Sequence, residues 1–190
     1  ATARRRYLQR GWTACPVRTR DGVSIDAILK EPPDSTDAAS GSGGAPRFVI
    51  FVGGNSQRYE DWLPYYEVYA RDVGCGFLAF NFRGVGNSGG AVLSGADLVC
   101  DVSACVDHLL RRGVQPHHIL LHGFSLGGAV AALHLASHPA RGICLASDRS
   151  FRSLSRTAFG LILMMVHGPA GVAGGVPTTP AAAAAGDAAA

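Results

Sequence analysis

Lysine and long hydrophobic runs are both scarce in this 190-residue sequence. Lys30 is the only lysine, so arginine carries most of the positive charge, and the net charge is +3 at pH 7. So small an excess requires no nucleic-acid partner. The longest apolar run, at residues 159–166, is far shorter than the roughly 20 residues of a membrane-spanning helix, and no signal peptide opens the chain. We therefore expect a cytoplasmic protein that associates with neither nucleic acid nor a membrane.

The cysteines show neither metal-ligand spacing nor the even number of a disulfide framework. The sequence contains five of them, scattered among apolar neighbours: Cys15, Cys75, Cys100, Cys105 and Cys144. Buried free thiols are the expected state of such residues. We expect no metal site and no cofactor.

Strand-like and helix-like segments alternate along most of the chain. Residues 13–19 and 23–30 flank Asp21 and Gly22, which predicts an antiparallel hairpin. Continuous apolar runs at residues 48–52, 76–82 and 142–147, and the run that begins at Ile119, are typical of strands buried on both faces. Helix patterns separate these runs. The sequence therefore predicts an α/β fold: a mostly parallel sheet with an N-terminal antiparallel hairpin and crossover helices.

Two of the predicted helices have a clear inward face. The helix that begins at Tyr59 has aromatic and apolar residues at helical spacing, namely Trp62, Tyr66, Tyr69 and Val73. The next helix begins with a capping box of Ser94 and Asp97. Its predicted inward residues are Leu98, Val102, Cys105, Leu109 and Leu110. The acidic residues Asp101 and Asp107 are predicted to face outward or toward the first turns.

The composition changes near residue 167. Residues 168–190 consist almost entirely of Gly, Ala, Val, Pro and Thr without periodicity, which is typical of a low-complexity tail. We therefore expect a partial domain over residues 1–167 and a tail over residues 168–190. Residues 31–46 are rich in Pro, Ser and Gly and are predicted to form a surface loop.

The most informative stretch is Gly-Phe-Ser-Leu-Gly at residues 123–127, after an apolar run and before a small-residue helix pattern. A strand, a sharp turn and a helix in this order form a nucleophile elbow, in which a strained turn exposes a serine. Gly123 and Gly127 would remove side chains that collide with the neighbouring strand and helix. Ser125 is therefore the predicted nucleophile.

With these residues in place, the chain resembles the α/β-hydrolase superfamily, in its serine-hydrolase branch of esterases, lipases and serine aminopeptidases. The resemblance covers residues 17–155. It rests on the hairpin, on Gly-Gly-Asn at 53–55, on Asn-Phe-Arg-Gly-Val-Gly-Asn-Ser-Gly at 81–89 and on the serine motif. It implies a hydrolase of esters, thioesters or amides that acts on a small-molecule or acyl substrate.

The resemblance also implies a mechanism. Ser125 would attack a carbonyl carbon and form an acyl-enzyme, which water hydrolyses. The backbone N–H groups of Asn55 and Leu126 would form the oxyanion hole. Gly53 and Gly54 stand where the family often has His-Gly.

Acidic and histidine residues are few after Ser125, where the family places its acid and base. Asp148 and Asp187 are the only acids there, and Asp148 is a candidate acid. His167 is a candidate base, whereas His134 and His138 are predicted to lie on a helix surface or cap its end. We expect a chain truncated at the C-terminus. The alternative function is a catalytically inactive fragment or binding module.

A third possible function, nucleotide binding, comes from Gly-Val-Gly-Asn-Ser-Gly at residues 84–89, which fits the dinucleotide fingerprint. That fingerprint requires a helix to begin within the turn. Here the helix cap comes later, at Ser94, and this disfavours nucleotide binding.

Overall fold

A computed structural model describes residues 2–33 and 45–151. The α-helices are α1 (Thr2–Leu8), α2 (Tyr59–Val73), α3 (Gly95–Arg111) and α4 (Leu126–Ser137). The strands are β1 (Trp12–Ala14), β2 (Val17–Arg18), β3 (Ser24–Ile25), β4 (Ala27–Lys30), β5 (Phe48–Val52), β6 (Gly76–Phe80), β7 (Ile119–Phe124) and β8 (Cys144–Asp148). The predicted tail at residues 168–190 and the end of the predicted domain lie outside the described residues.

The main sheet has the order β1-β4-β6-β5-β7-β8. Strands β1 and β4 pair antiparallel, as do β4 and β6, whereas β6, β5, β7 and β8 run parallel. The predicted α/β fold with a mixed sheet is therefore confirmed. The hairpin divides into two parts, because β2 and β3 pair with each other in a separate two-stranded sheet.

The central strands have apolar side chains on both faces, as the continuous runs predicted. On one face Ile50 and Val52 of β5 pack in a core with side chains of α3 and α4. On the other face Val49 and Phe51 pack with side chains of α1 and α2. The sheet is thus covered by helices on both sides, which is why its parallel strands carry no polar alternation.

The predicted inward face of α2 is partly wrong. Trp62 is 40% exposed and Val73 is 58% exposed. The buried residues of this helix are Tyr59, Leu63, Tyr66 and Ala70. Trp62 lies on the flank of the helix, where its ring contacts the rings of Tyr65 and Phe124. An aromatic residue at helical spacing is therefore not always a core residue, because the Trp62 ring packs against other rings at the side of the helix.

The burial predicted for two other segments is also wrong. Asp101 of α3 is completely buried, because it forms an ion pair with Arg83, which is buried as well. The sequence predicts a buried strand at residues 142–147, but all five residues of β8 are exposed or half-buried. Among the described residues β8 pairs only with β7, so it is an edge strand there.

Candidate active site

Ser125 is the single residue between the end of β7 and the start of α4. Its backbone has φ 52° and ψ −118°, a conformation that costs a non-glycine residue free energy. The Ser125 N–H donates a hydrogen bond of 2.9 Å to the carbonyl oxygen of Asp148 at the end of β8. The side chain is half-exposed. The chain therefore passes from β7 to α4 through one residue in a strained backbone conformation.

Three glycines make this turn possible. A Cβ at Gly123 would lie 2.6 Å from the backbone nitrogen of Gly128, and one at Gly127 would lie 2.5 Å from the Gly53 oxygen. A Cβ at Gly128 would lie 2.7 Å from the Ser150 hydroxyl. The first two positions are blocked by backbone, which cannot move aside without moving β5 or α4.

The loop after β5 approaches the serine closely. A Cβ placed on Gly54 would be 3.5 Å from Cβ of Ser125. The Gly54 N–H donates a hydrogen bond of 2.8 Å to Oε1 of Gln57, which fixes the loop. Among the described residues, no acceptor is bonded to the backbone N–H of Asn55 or Leu126. Within that part of the chain, both groups are available to donate to a ligand.

A cavity of about 360 Å³ adjoins this loop. Asn55 and Leu126 form part of its wall, next to the side chains of Phe82, Val85 and Leu98. These side chains give the cavity a largely apolar interior. It has room for an apolar group beside the two free N–H groups.

The buried Arg83 holds the loop that follows β6. Its Nε donates to Asp101 at 2.8 Å, and its Nη1 donates to Asp21 at 2.7 Å. The hydrogen bond from Arg83 lowers the pKa of Asp21, whereas burial raises the pKa of Asp101 and Arg83 opposes that shift. Asp97 lies 3.5 Å from Nη1 of Arg83, so three carboxylates surround one buried guanidinium.

Ser88 anchors the other end of this loop. Its hydroxyl donates to the Asn81 carbonyl oxygen at 2.7 Å and accepts from the Asp26 N–H at 2.8 Å. The N–H groups of Gly84, Ser88 and Gly89 all donate to backbone carbonyls. Since α3 begins only at Gly95, the loop presents no helix N-terminus and few free donors to a phosphate. This geometry disfavours the dinucleotide alternative.

A family model described as serine aminopeptidase, S33, matches residues 52–148, from the end of β5 to the end of β8. The match includes the loop at residues 53–55, the Arg83 loop and Ser125. The chain belongs to the S33 serine aminopeptidase family. It is accordingly a member of the α/β-hydrolase superfamily, as the sequence resemblance predicted.

Curated relatives of this S33 family member include much longer proteins. The chain is 29% identical over 151 residues to the multifunctional-autoprocessing repeats-in-toxin of Vibrio cholerae, a match of 76% of this chain and 3% of the toxin. It is 26% identical over 142 residues to protein bem46 of Schizosaccharomyces pombe, covering 73% of this chain and 44% of bem46. The chain thus spans less than half the length of either relative.

Solved structures show the same fold. The Pyrococcus furiosus esterase Pf2001 is 25% identical with a TM-score of 0.59, and the match covers 77% of this chain and 54% of the esterase. An α/β hydrolase from Vibrio vulnificus is 20% identical with a TM-score of 0.68, covering 84% of this chain and 53% of that protein. The second likeness is one of fold alone.

The candidate acid of this S33 family member lies near the serine, whereas its candidate base lies outside the described residues. Asp148 is the last residue of β8, opposite Phe124, and its carboxylate is 3.4 Å from Nε of Arg149. His167 and Asp187 are not described. Among the described residues no histidine is bonded to Ser125 or Asp148. His122 instead makes a hydrogen bond of 3.1 Å with the Tyr69 hydroxyl.

His134 was predicted to lie on the surface of α4 or to cap its end, and this is wrong. The side chain is completely buried against α3, and Nδ1 lies 2.9 Å from the Ser103 hydroxyl. Its Nε2 has no hydrogen-bond partner among the described residues. His138 does lie at the helix end, where Nδ1 makes a hydrogen bond of 2.9 Å with the His134 carbonyl oxygen. The small residues of α4 allow α3 to approach closely and enclose the ring.

The variant His134→Asn is expected to lose less unfolding free energy than the wild type when the pH is lowered. Burial lowers the pKa of His134 to about 4, whereas the unfolded chain takes up this proton near 6.5. Protonation therefore favours the unfolded chain as the pH falls from 6.5 to 4, by up to about 3 kcal/mol. Urea unfolding at several pH values measures the slope of the unfolding free energy against pH. The exposed His117→Asn is the control, and equal slopes in both variants would contradict the assignment to His134.

No described helix is long and apolar enough to cross a membrane. Within the same residues, no three side chains of the types His, Cys, Asp and Glu come together as a metal site.

Proposed function

We propose that this chain carries the nucleophile of a serine hydrolase, which cleaves ester, thioester or amide bonds through an acyl-enzyme on Ser125. The observation that carries the proposal is the strained backbone of Ser125 between β7 and α4. A serine held at φ 52° costs free energy in the folded state and gains nothing for the core. A role in chemistry explains why such a conformation is kept.

The two free N–H groups support an oxyanion hole in this proposal. Attack by the Ser125 hydroxyl on a carbonyl carbon moves charge onto the carbonyl oxygen, which the N–H groups of Asn55 and Leu126 would then bind. The Leu126 N–H lies at the first turn of α4, where the helix dipole also favours negative charge. Such donors are typically worth about 3 kcal/mol each in the transition state.

The cavity beside Asn55 and Leu126 supports an acyl-binding role. Its apolar wall would receive the acyl part of a small-molecule substrate, while the leaving group would face the open side of Ser125. We propose Asp148 as the acid and His167 as the base of a triad. The position of Asp148 at the carboxyl end of the strand next to β7 supports its part of this proposal.

A specific observation favours the alternative of an inactive binding module. No described histidine contacts the Ser125 hydroxyl, and a serine without a base is an ordinary alcohol. In that case the cavity and the two N–H groups would bind a carbonyl or carboxylate ligand without cleaving it.

Labelling with a fluorophosphonate probe separates the two functions. We expect the folded chain to be labelled at Ser125 and Ser125→Ala to lose both the label and ester hydrolysis, by at least about a thousandfold in rate. Ser137→Ala is the matched control, because Ser137 is an exposed serine on the same helix. An unlabelled wild-type chain with a native circular dichroism spectrum would overturn the hydrolase and favour the binding module.

A further inference from the structure

A second, smaller cavity lies between α3 and the segment from β2 to the following turn. Its volume is about 170 Å³, and it shares no lining residue with the cavity near Ser125. Its basic lining residues are Arg18, Arg20 and Arg111. We refer to it as the arginine cavity.

The charges of these arginines are not compensated within the described residues. All three are exposed, and none forms an ion pair or hydrogen bond with a described side chain. By contrast, Asp107 in the cavity wall is already paired with Arg141 at 2.9 Å. Like charges around a concave surface repel one another and raise the local concentration of anions.

The hydroxyl groups in the rest of the cavity wall already form hydrogen bonds within the protein, so they compete little with the arginines for a ligand. The Thr19 hydroxyl accepts a hydrogen bond of 2.8 Å from the Val23 N–H, so it is engaged in the turn. The Ser103 hydroxyl is engaged with the Val99 carbonyl oxygen at 2.8 Å and with His134. Recognition of a ligand therefore falls to the guanidinium groups, whose planar donors suit tetrahedral oxyanions.

We propose that the arginine cavity binds the phosphate group of a small phosphate monoester. A phosphate dianion fits a space of this volume and neutralises most of the unpaired charge. The site is independent of Ser125, because Arg18 and Arg20 belong to β2 and its turn and Arg111 ends α3.

Isothermal titration of the full chain with inorganic phosphate and with glycerol phosphate tests this proposal. Both ligands are expected to bind saturably at constant ionic strength, and chloride is not. Arg20→Gln and Arg111→Gln should each weaken phosphate binding by about tenfold, since each removes a charge-assisted donor. Asp107→Asn should strengthen it several-fold, because it removes the one acidic group of the wall and frees Arg141.

The matched control is Arg47→Gln, which removes an exposed arginine that does not line the cavity. It should leave phosphate affinity unchanged, as should Ser125→Ala. Equal affinities of the wild type, Arg20→Gln and Arg111→Gln would overturn the proposal. An equal response to chloride and phosphate would overturn it as well.

Discussion

The variant Gly127→Ala is expected to lose the native structure around Ser125. A Cβ at this position would overlap the carbonyl oxygen of Val52 and lie 2.5 Å from that of Gly53. Both oxygens are backbone atoms at the end of the central strand β5, so relief requires α4 to move off the sheet. We expect a destabilisation above about 4 kcal/mol, or no folding at all, which places it among the largest single-residue effects. Thermal and urea unfolding followed by circular dichroism measure it.

Gly95→Ala provides the matched control. Gly95 is the first residue of α3, and an added Cβ would meet nothing within 4 Å. Alanine there should be neutral or stabilise by up to about 1 kcal/mol, because it is the better helix former. If Gly127→Ala unfolded with the same midpoint as Gly95→Ala, the close approach of α4 to β5 would be contradicted.

Arg83→Met should be the second most damaging substitution. It leaves the fully buried Asp101 without the guanidinium that compensates its charge. Removing one partner of a buried ion pair typically costs about 3–5 kcal/mol. We expect a loss of that size, measured by urea unfolding near pH 7. The lost ion pair with Asp21 adds little to this destabilisation, because the Asp21 side chain is 44% exposed and solvent screens its interaction with Arg83.

Two further variants test the cause of this loss. The double variant Arg83→Met, Asp101→Leu should recover much of the stability, because it removes the uncompensated charge along with its partner. Arg58→Met removes the exposed ion pair with Asp61 and should leave the free energy of unfolding nearly unchanged, because solvent screens that pair. A double variant less stable than Arg83→Met would show that packing, and not charge, causes the loss.

Local patterns predicted the sheet and the position of the serine well. The apolar runs at Phe48–Val52 and from Ile119 became the central strands because a strand covered on both faces needs no polar alternation. Glycines at positions 123 and 127 predicted the turn because only a residue without a side chain fits there. Such signals lie within a few residues of what they predict.

Two of the errors concern side chains whose partners are distant in sequence. The sequence predicts that Asp101 faces outward or toward the first turns, but the residue is buried because it pairs with Arg83, which lies 18 positions earlier. His134 is enclosed by Ser103, which lies 31 positions earlier on another helix. The repeated acidic residues of α3 gave no sign of which one would face inward. The partner determines burial in both cases, and no local pattern identifies it.

In the candidate site, the sequence indicated the donor groups but not the hydrogen bonds of the loop around them. The family resemblance implied Asn55 and Leu126 as donors, and their N–H groups lie at the loop and the helix start next to Ser125. The bond from Gly54 to Gln57 could not be predicted, because glutamine in a loop has many possible partners. This bond decides which N–H group of the loop is occupied and which is free.

The bond from the Ser125 N–H to the Asp148 carbonyl oxygen has a consequence for how the structure responds to heating. It ties the strained residue to β8, the least buried strand of the main sheet among the described residues. Edge strands fray at temperatures at which the core still holds. Fraying of β8 would free Ser125 to relax from its unfavourable φ without any change in the central strands. Loss of the strained backbone conformation at Ser125 would then precede the cooperative melting of the domain.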